Sequence, residues 1–297
     1  MRIHAVLNRG GGTLSTMDLD ALSARLREVM TRAGHDTEVR IVDGAEIVGA
    51  IRDACAHPQA EIVLAGGGDG TVSLAAGLLA GSQKVLAILP AGTMNLFARS
   101  LGIPLDIDAA MLALAYGRIR NVDIARVNGR PFVHQFSIGM HPQLIHLRSR
   151  MPFHGRIGKL LASARAALAT FRNPHNMEVA LTFGNAEMIT TTSGIGITNN
   201  LFGEGHLPYA DKPDGGVLGI YIMRAEHRSD LLSFFVNMGL GRWRRNDQVE
   251  IHEAEEVHLK ILSASRQLKN AIDGELCPLE RDIHVALQPG SLRVLVV

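Results

Sequence analysis

The fold of this chain is decided by the stretch Ile62-Val63-Leu64-Ala65-Gly66-Gly67-Gly68-Asp69-Gly70-Thr71-Val72. Its apolar start predicts a buried strand, and the residues from Thr71 onward have the composition of a helix. The glycine turn between them would present backbone N–H groups and a helix N-terminus, which together bind phosphate. Glycine is needed because a side chain would block phosphate oxygens and would resist a positive φ. Asp69 would repel a phosphate, so it indicates a divalent cation between the two groups, or a proton acceptor.

Strands and helices alternate on both sides of this turn. Strands are predicted over residues 3–7, 37–42, 62–65 and 84–89. Helices are predicted from Leu19, Ala45 and Asp106, and alternation of this kind is typical of an α/β, doubly wound parallel sheet. Ligands of such sheets bind at the carboxyl ends of the strands. Three polar turns fall there, at Asn8, 66–71 and 92–95, so we expect them to form one site.

After residue 127 the pattern changes to short strands with turns, which predicts a C-terminal antiparallel β-sandwich domain. We therefore divide the chain into residues 1–127 and 128–297. Single strands are expected over 130–139, 177–183, 188–199, 217–223, 257–262 and 283–287. A last strand over 292–297 could return to the first domain.

Two segments of the second domain combine apolar and basic residues: 155–171, and 229–240 followed by Trp243 among arginines. Each could lie on anionic lipid. Each could also be a helix packed on the sheet with a solvated charged face, which we favour for 155–171.

Composition narrows the function classes. The net charge of +1 gives no general attraction to nucleic acid, which we do not expect as a partner. The two cysteines, Cys55 and Cys277, imply no disulfide framework and fit a reducing cytosol. No apolar run approaches the ~20 residues that span a bilayer. We expect a cytoplasmic protein, with any lipid handling by peripheral contact at the inner membrane face. The 13 histidines show no metal-binding spacing and are interpreted as scattered surface and core residues.

A second motif, Leu89-Pro90-Ala91-Gly92-Thr93-Met94-Asn95, follows the glycine turn at about twenty residues. Together the two motifs resemble the catalytic domain of the diacylglycerol kinase and sphingosine kinase family, which is related to NAD kinases. The resemblance implies ATP-dependent phosphorylation of a lipid alcohol, with Mg²⁺ as cofactor. It implies that the nucleotide is bound by Asn8, Gly66, Gly67, Gly68, Gly70, Thr71, Gly92, Thr93 and Asn95. From the residues alone, Thr93 could equally be a turn hydroxyl and Asn95 a helix N-cap.

Three carboxylates complete the predicted catalytic site. By the resemblance, Asp69 and Asp123 hold the metal, and Glu275 of Ala271-Ile272-Asp273-Gly274-Glu275 lies near the transferred phosphoryl group. Either Asp69 or Glu275 would accept the proton of the acceptor hydroxyl. Two alternatives stay open: Asp123 as an outward-facing strand residue, and 273–275 as a β-turn with solvated acids.

The chain departs from the family pattern at three positions. Leu96, Gly215 and Gly219 stand where the family usually has aspartates. We therefore prefer a Pro-Asp-Gly turn over a structural metal site in 210–219.

Three other functions are open: an NAD kinase, a kinase for a soluble polyol or sugar, and a nucleotide-binding protein without catalysis. The expected partners are a nucleotide, a lipid alcohol and a membrane surface, and a homodimer is also open.

Overall fold

The computed structural model describes residues 1–149, 176–224, 237, 248–263 and 268–297. Segment 155–171 and Trp243 lie outside the described residues, as does 229–240 apart from residue 237. The helices are α1 (Leu19–Arg32), α2 (Ile47–Ala56), α3 (Asp69–Leu79), α4 (Leu96–Ser100), α5 (Ile107–Ala115) and α6 (Met140–Ser149), with a 3₁₀ turn at Gly12–Thr16. The strands are β1 (Arg2–Asn8), β2 (Asp36–Val42), β3 (Ile62–Gly67), β4 (Val85–Pro90), β5 (Arg118–Val127), β6 (Arg130–Phe132), β7 (Gln135–Gly139), β8 (Met177–Phe183), β9 (Ala186–Thr192), β10 (Gly194–Asn199), β11 (Leu218–Met223), β12 (Val249–Ala254), β13 (Glu256–Ser263), β14 (Asn270–Ile272), β15 (Glu275–Cys277) and β16 (Asp282–Val296).

The first four strands form the predicted parallel sheet, in the order β2-β1-β3-β4. Every residue of β3 and β4 is buried, as expected of central strands covered on both faces. Helices α1 and α5 contact each other, and so do α2 and α3, in keeping with two covering layers. The register pairs Leu7 with Gly66 and Gly66 with Leu89, so three strands end side by side.

The last strand, β16, connects the two halves of the molecule. It pairs in parallel with β4 at Arg293 and Val294, and antiparallel with β5 and β13. The sheet continues through β8 and β9, and a second sheet runs in the order β12-β11-β10-β7-β14-β15. Fully buried side chains of both sheets, such as Ile197 and Val285, pack in one apolar cluster. The fold class predicted from the sequence, a doubly wound sheet followed by an antiparallel sandwich, is confirmed.

Several element boundaries differ from those predicted. Residues 130–139 and 188–199 each form two strands in different sheets, not one, because the chain changes sheet at 133–134 and at Ser193. Conversely, 283–287 and 292–297 belong to one long strand, β16, with a register shift between Gln288 and Leu292. Helix α3 starts at Asp69, two residues before the predicted Thr71, which places the carboxylate in its first turn.

Candidate active site

The three predicted turns meet at the carboxyl ends of β1, β3 and β4. Asn8 Nδ2 donates to Thr71 Oγ1 at 3.4 Å, joining the first turn to helix α3. A Cβ on Gly67 would lie 2.7 Å from Thr71 Oγ1, and a Cβ on Gly92 would lie 2.7 Å from Gly68 Cα. A side chain at Gly92 would therefore push its turn away from the glycine turn, and one at Gly67 would displace the Thr71 side chain.

The Asp69 side chain connects the glycine turn to the 92–95 turn. Its carboxylate accepts hydrogen bonds from the backbone N–H of Asn95 at 3.0 Å and of Leu96 at 2.7 Å. These are free N–H groups at the start of α4, so Asp69 caps that helix from a distant part of the chain.

Asn95 occupies the N-cap position of α4, but its side chain does not cap the helix. Its Oδ1 accepts from Gly92 N at 2.8 Å and its Nδ2 donates to Gly92 O at 3.0 Å, which closes the turn with Asn95 at φ +51°. Side-chain capping by Asn95, one of our two interpretations, is therefore wrong, since Asp69 supplies the cap. Thr93, on the same turn, is exposed.

Asp273 and Gly274 form the turn of the β14–β15 hairpin, with φ of +46° and +82°. The Asp273 carboxylate accepts from Ser73 Oγ at 2.5 Å and from the backbone N–H groups of residues 133–135 at 2.9–3.0 Å. Burial raises the pKa of Asp273, and these hydrogen bonds oppose that shift. The anchored turn holds Glu275 beside α3, where a Cβ on Gly70 would lie 3.0 Å from Glu275 Oε1. The sequence contained no sign of this anchoring role of Asp273.

Asp123 lies in a different place. It is 2% exposed, so it is not the outward-facing residue of our alternative interpretation. One carboxylate oxygen accepts from Gly216 N and the other from Gly290 N, both at 2.8 Å, which ties β5 to the 210–219 loop and to the bend of β16. It does not line the cavity that contains Asp69. We therefore give Asp123 a structural role and withdraw the predicted catalytic and metal roles.

The 210–219 loop contains the turn that we preferred. Gly215 N donates to Lys212 O at 3.2 Å, closing a turn around Pro213 and Asp214. The Arg120 guanidinium binds the Asp214 carboxylate at 2.5 and 3.1 Å and holds the pKa of that carboxyl below its usual value.

A cavity of about 620 Å³ opens beside Asp69, between the two domains. Most of its wall is apolar and comes from α4, α6 and the second sheet; examples are Phe97, Leu144, Ile145, Ile195 and Met223. The wall also contains four polar side chains of one short segment, which are His134, Gln135, Ser137 and His141. A large apolar cavity with a few converging polar groups is typical of a small-molecule site.

Our interpretation of the sequence gave no individual role to the two histidines of this wall, His134 and His141. Burial lowers the pKa of both His134 and His141 to about 4, so both rings are neutral near pH 7. The negative charge of Asp69, which lines the same cavity, opposes this lowering of the His134 pKa. His134 stacks on Phe202 with the ring centroids 5.0 Å apart. A sequence signal existed, because polar residues at 135 and 137 interrupt alternate positions of an apolar strand.

The residues of the glycine turn suit a magnesium–nucleotide pair. Asp69 belongs to the first turn of α3 and Glu275 lies beside that turn, and Mg²⁺ in kinases is bound by one or two carboxylates plus substrate phosphates. Within the described residues, the one group of three or more clustered potential metal ligands is Glu256, His258 and His284, on the solvent-facing side of β13 and β16.

Comparisons with known proteins agree along the whole chain. The diacylglycerol kinase catalytic domain matches residues 2–127, and the YegS C-terminal NAD kinase beta sandwich-like domain matches residues 137–296. A "Diacylglycerol kinase" of Mycobacterium tuberculosis is 30% identical over 287 residues, covering 89% of both chains. A "Probable lipid kinase YegS-like" of Pseudomonas aeruginosa is 30% identical over 272 residues, covering 88% of this chain and 85% of its own.

The fold also matches a solved structure. A diacylglycerol kinase from Bacillus anthracis superposes with a TM-score of 0.72 at 16% identity, over 100% of this chain and 97% of the other. Of the helices in the described part of the chain, none combines the length and apolarity that crossing a membrane requires.

Proposed function

The chain belongs to the diacylglycerol kinase family and is a lipid kinase, and we propose that it transfers the γ-phosphoryl group of ATP to the hydroxyl of a diacylglycerol-like or sphingoid lipid. One observation carries this proposal. Asp69 belongs to the glycine turn and also lines the apolar cavity, so a single carboxylate adjoins both candidate substrate sites. A phosphate held at the turn and a hydroxyl at the mouth of the cavity would meet there.

The nucleotide side of the proposed site consists of backbone and small side chains. Phosphoryl transfer depends on positioning and charge neutralisation more than on covalent chemistry by the protein. The glycines at 66, 67 and 92 let the turns pack closely, because a Cβ there would collide with Leu7, Thr71 and Gly68. This packing leaves the N-terminus of α3, whose dipole favours negative charge, as the proposed phosphate site. We propose that Asn8, Thr71, Thr93 and Asn95, which lie on the three joined turns, adjoin this phosphate site.

Asp69 and Glu275 are the residues that would hold Mg²⁺. A bound Mg²⁺ would neutralise phosphate charge and orient the leaving group. Asp69 lines the cavity and Glu275 does not, so we assign acceptance of the hydroxyl proton to Asp69 and contact with the phosphate side to Glu275. The backbone N–H groups of Asn95 and Leu96 donate to the Asp69 carboxylate and hold it in one orientation beside the cavity that would receive the lipid hydroxyl.

The acceptor side is supported by the apolar wall of the cavity, which favours an acyl or alkyl chain over NAD or a polyol. Met94 and Leu207, 39% and 36% exposed, lie on this wall and present apolar surface to the outside. We propose that a cytoplasmic enzyme takes up its lipid by peripheral contact with the membrane at this opening.

The test is a phosphorylation assay with the purified full chain, labelled ATP, Mg²⁺ and a lipid extract, followed by single defined lipids in mixed micelles. We expect a labelled, organic-soluble product that requires both ATP and Mg²⁺. Bound ATP without product from any lipid, NAD or polyol would instead support a catalytically impaired nucleotide-binding protein. Labelled NADP would support an NAD kinase, and a labelled polyol would overturn the lipid assignment.

A further inference from the structure

We infer that Gln135, Ser137 and His141 form a specificity cluster that binds the ester carbonyl oxygen of an acylglycerol acceptor. The inference rests on the proposed kinase function and concerns which lipid alcohol the cavity selects. It assigns a binding role to three polar side chains that do not take part in phosphoryl transfer.

The cluster is built from two adjacent elements. Gln135 and Ser137 are two residues apart on β7, so their side chains point to the same face of the sheet. His141 follows in the first turn of α6, with its Nδ1 2.9 Å from Ser137 Oγ and 3.2 Å from Gln135 Nε2. Polar groups are costly in an apolar cavity unless they are hydrogen-bonded, so such a cluster requires a reason.

The contacts of His141 favour one position for its ring proton. The ring is neutral and carries one proton, because burial lowers its pKa to about 4. Its Nδ1 lies 2.9 Å from Ser137 Oγ and 3.2 Å from Gln135 Nε2, whereas its Nε2 has the longer contact of 3.5 Å to Gln135 Nε2. We therefore assign the proton to Nε2, with Nδ1 as the acceptor within the cluster, so that the Nε2–H can donate to a ligand in the cavity.

A donor of this kind in the wall of an apolar cavity selects a ligand with an oxygen acceptor. An ester carbonyl supplies one, whereas the ammonium of a sphingoid base is itself a donor. Asp69 lines the same cavity as the cluster, and His134, which precedes Gln135 in the chain, lines it too. In an acylglycerol, the ester is a few bonds from the free hydroxyl.

The size of the cavity agrees with one acyl chain. Its volume of about 620 Å³ holds roughly twenty non-hydrogen atoms at the ~30 Å³ that a water molecule takes in the liquid. That number suits a glycerol headgroup with one medium-length chain. The second chain of a diacylglycerol would remain outside, in the membrane.

The test compares a 1-acylglycerol with the 1-O-alkylglycerol of the same chain length, which lacks only the carbonyl oxygen. We expect the wild-type chain to prefer the ester by about 3- to 10-fold in kcat/KM, the size of one neutral hydrogen bond. His141→Phe should remove the preference by slowing the ester alone. His141→Gln, which can place an amide N–H near the former Nε2, should restore it.

Ile195→Val is the matched control, since it changes the apolar wall and should affect both lipids equally. The inference is overturned if the wild type uses ester and ether equally well, or if His141→Phe slows both to the same extent. Phosphorylation of neither lipid, nor of any other lipid alcohol, would instead refute the proposed function. A sphingoid base used better than the acylglycerol would also overturn the carbonyl assignment.

Discussion

Substitution of Asp69 separates a structural role from a catalytic one, because the same carboxylate caps α4 and lines the cavity. Asp69→Ala removes the acceptor of two backbone N–H groups, those of Asn95 and Leu96. Loss of a capping side chain costs about 0.5–2 kcal/mol, and hydrogen bonds to charged groups contribute about 1.5–3 kcal/mol each. The site is partly open to water, which can replace one bond, so we expect a loss of about 2–3 kcal/mol.

For a chain of this length, such a loss lowers Tm by roughly 5–10 °C, since each kcal/mol corresponds to about 2–4 °C. Activity should fall further than stability explains, by about 10²- to 10⁴-fold, because the substitution removes the carboxylate that we propose as the proton acceptor. Asp69→Asn retains one acceptor oxygen for the helix start but cannot take a proton. It should therefore lose less stability and just as much activity.

Asp106→Ala is the matched control. Asp106 is also a helix-capping carboxylate, accepting from Ala109 N at 2.9 Å at the start of α5, and it does not line the cavity. We expect it to lower Tm by a few degrees with normal turnover. The measurements are thermal melts without ligand and initial rates at saturating ATP and lipid. Wild-type rates for Asp69→Asn would refute the catalytic role, and a wild-type Tm for Asp69→Ala would refute the capping role.

Three further predictions concern the remaining charged groups. Asp123→Ala should lower the free energy of unfolding by about 2–4 kcal/mol, because two buried backbone N–H groups lose their acceptor. The Mg²⁺ concentration needed for half activity should stay unchanged. A higher value in Mg²⁺ titrations would contradict the structural role of Asp123. Glu275→Gln should leave Tm nearly unchanged, since the side chain is exposed. It should lower kcat and raise the Mg²⁺ concentration needed for half activity. A Mg²⁺ titration curve identical to that of the wild type would contradict the proposed role of Glu275. In the folded chain, His134 and His141 have pKa values of about 4, against an ordinary value of 6.5. Between these two pH values the unfolded chain therefore binds more protons than the folded chain. The free energy of unfolding should fall as the pH drops from 6.5 to 4, by at most about 3 kcal/mol per ring. Melts across this range should show a shallower slope for His141→Phe, and an unchanged slope would refute burial of a neutral ring.

The glycine turn could be predicted from sequence because its function depends on local chemistry. A strand followed by glycines, one carboxylate and a helix predicts the same kind of turn in any protein, because all these residues are neighbours in sequence. The pattern also indicates the parallel sheet in which such turns occur. The Asp-Gly turn at 273–274 was also accessible, since turn-forming residues act over two or three positions. Residues 130–139 were predicted as one strand because their apolar pattern continues across 133–134. The break there is stabilised by Asp273, about 140 residues away, which accepts the three N–H groups.

By itself, the sequence determined the fold class and the family: a glycine turn at the edge of a parallel sheet, joined to an antiparallel domain, in a lipid kinase of the diacylglycerol kinase family. Only the tertiary structure decided where each predicted carboxylate lies, because burial and hydrogen-bond partners depend on chain segments far apart in sequence. Asp69 and Asp123 are both aspartates near strand ends, yet one adjoins a cavity and the other is enclosed by two glycine N–H groups. The same packing brings His134 and His141 into an apolar wall, where the loss of water, not their spacing, makes them neutral.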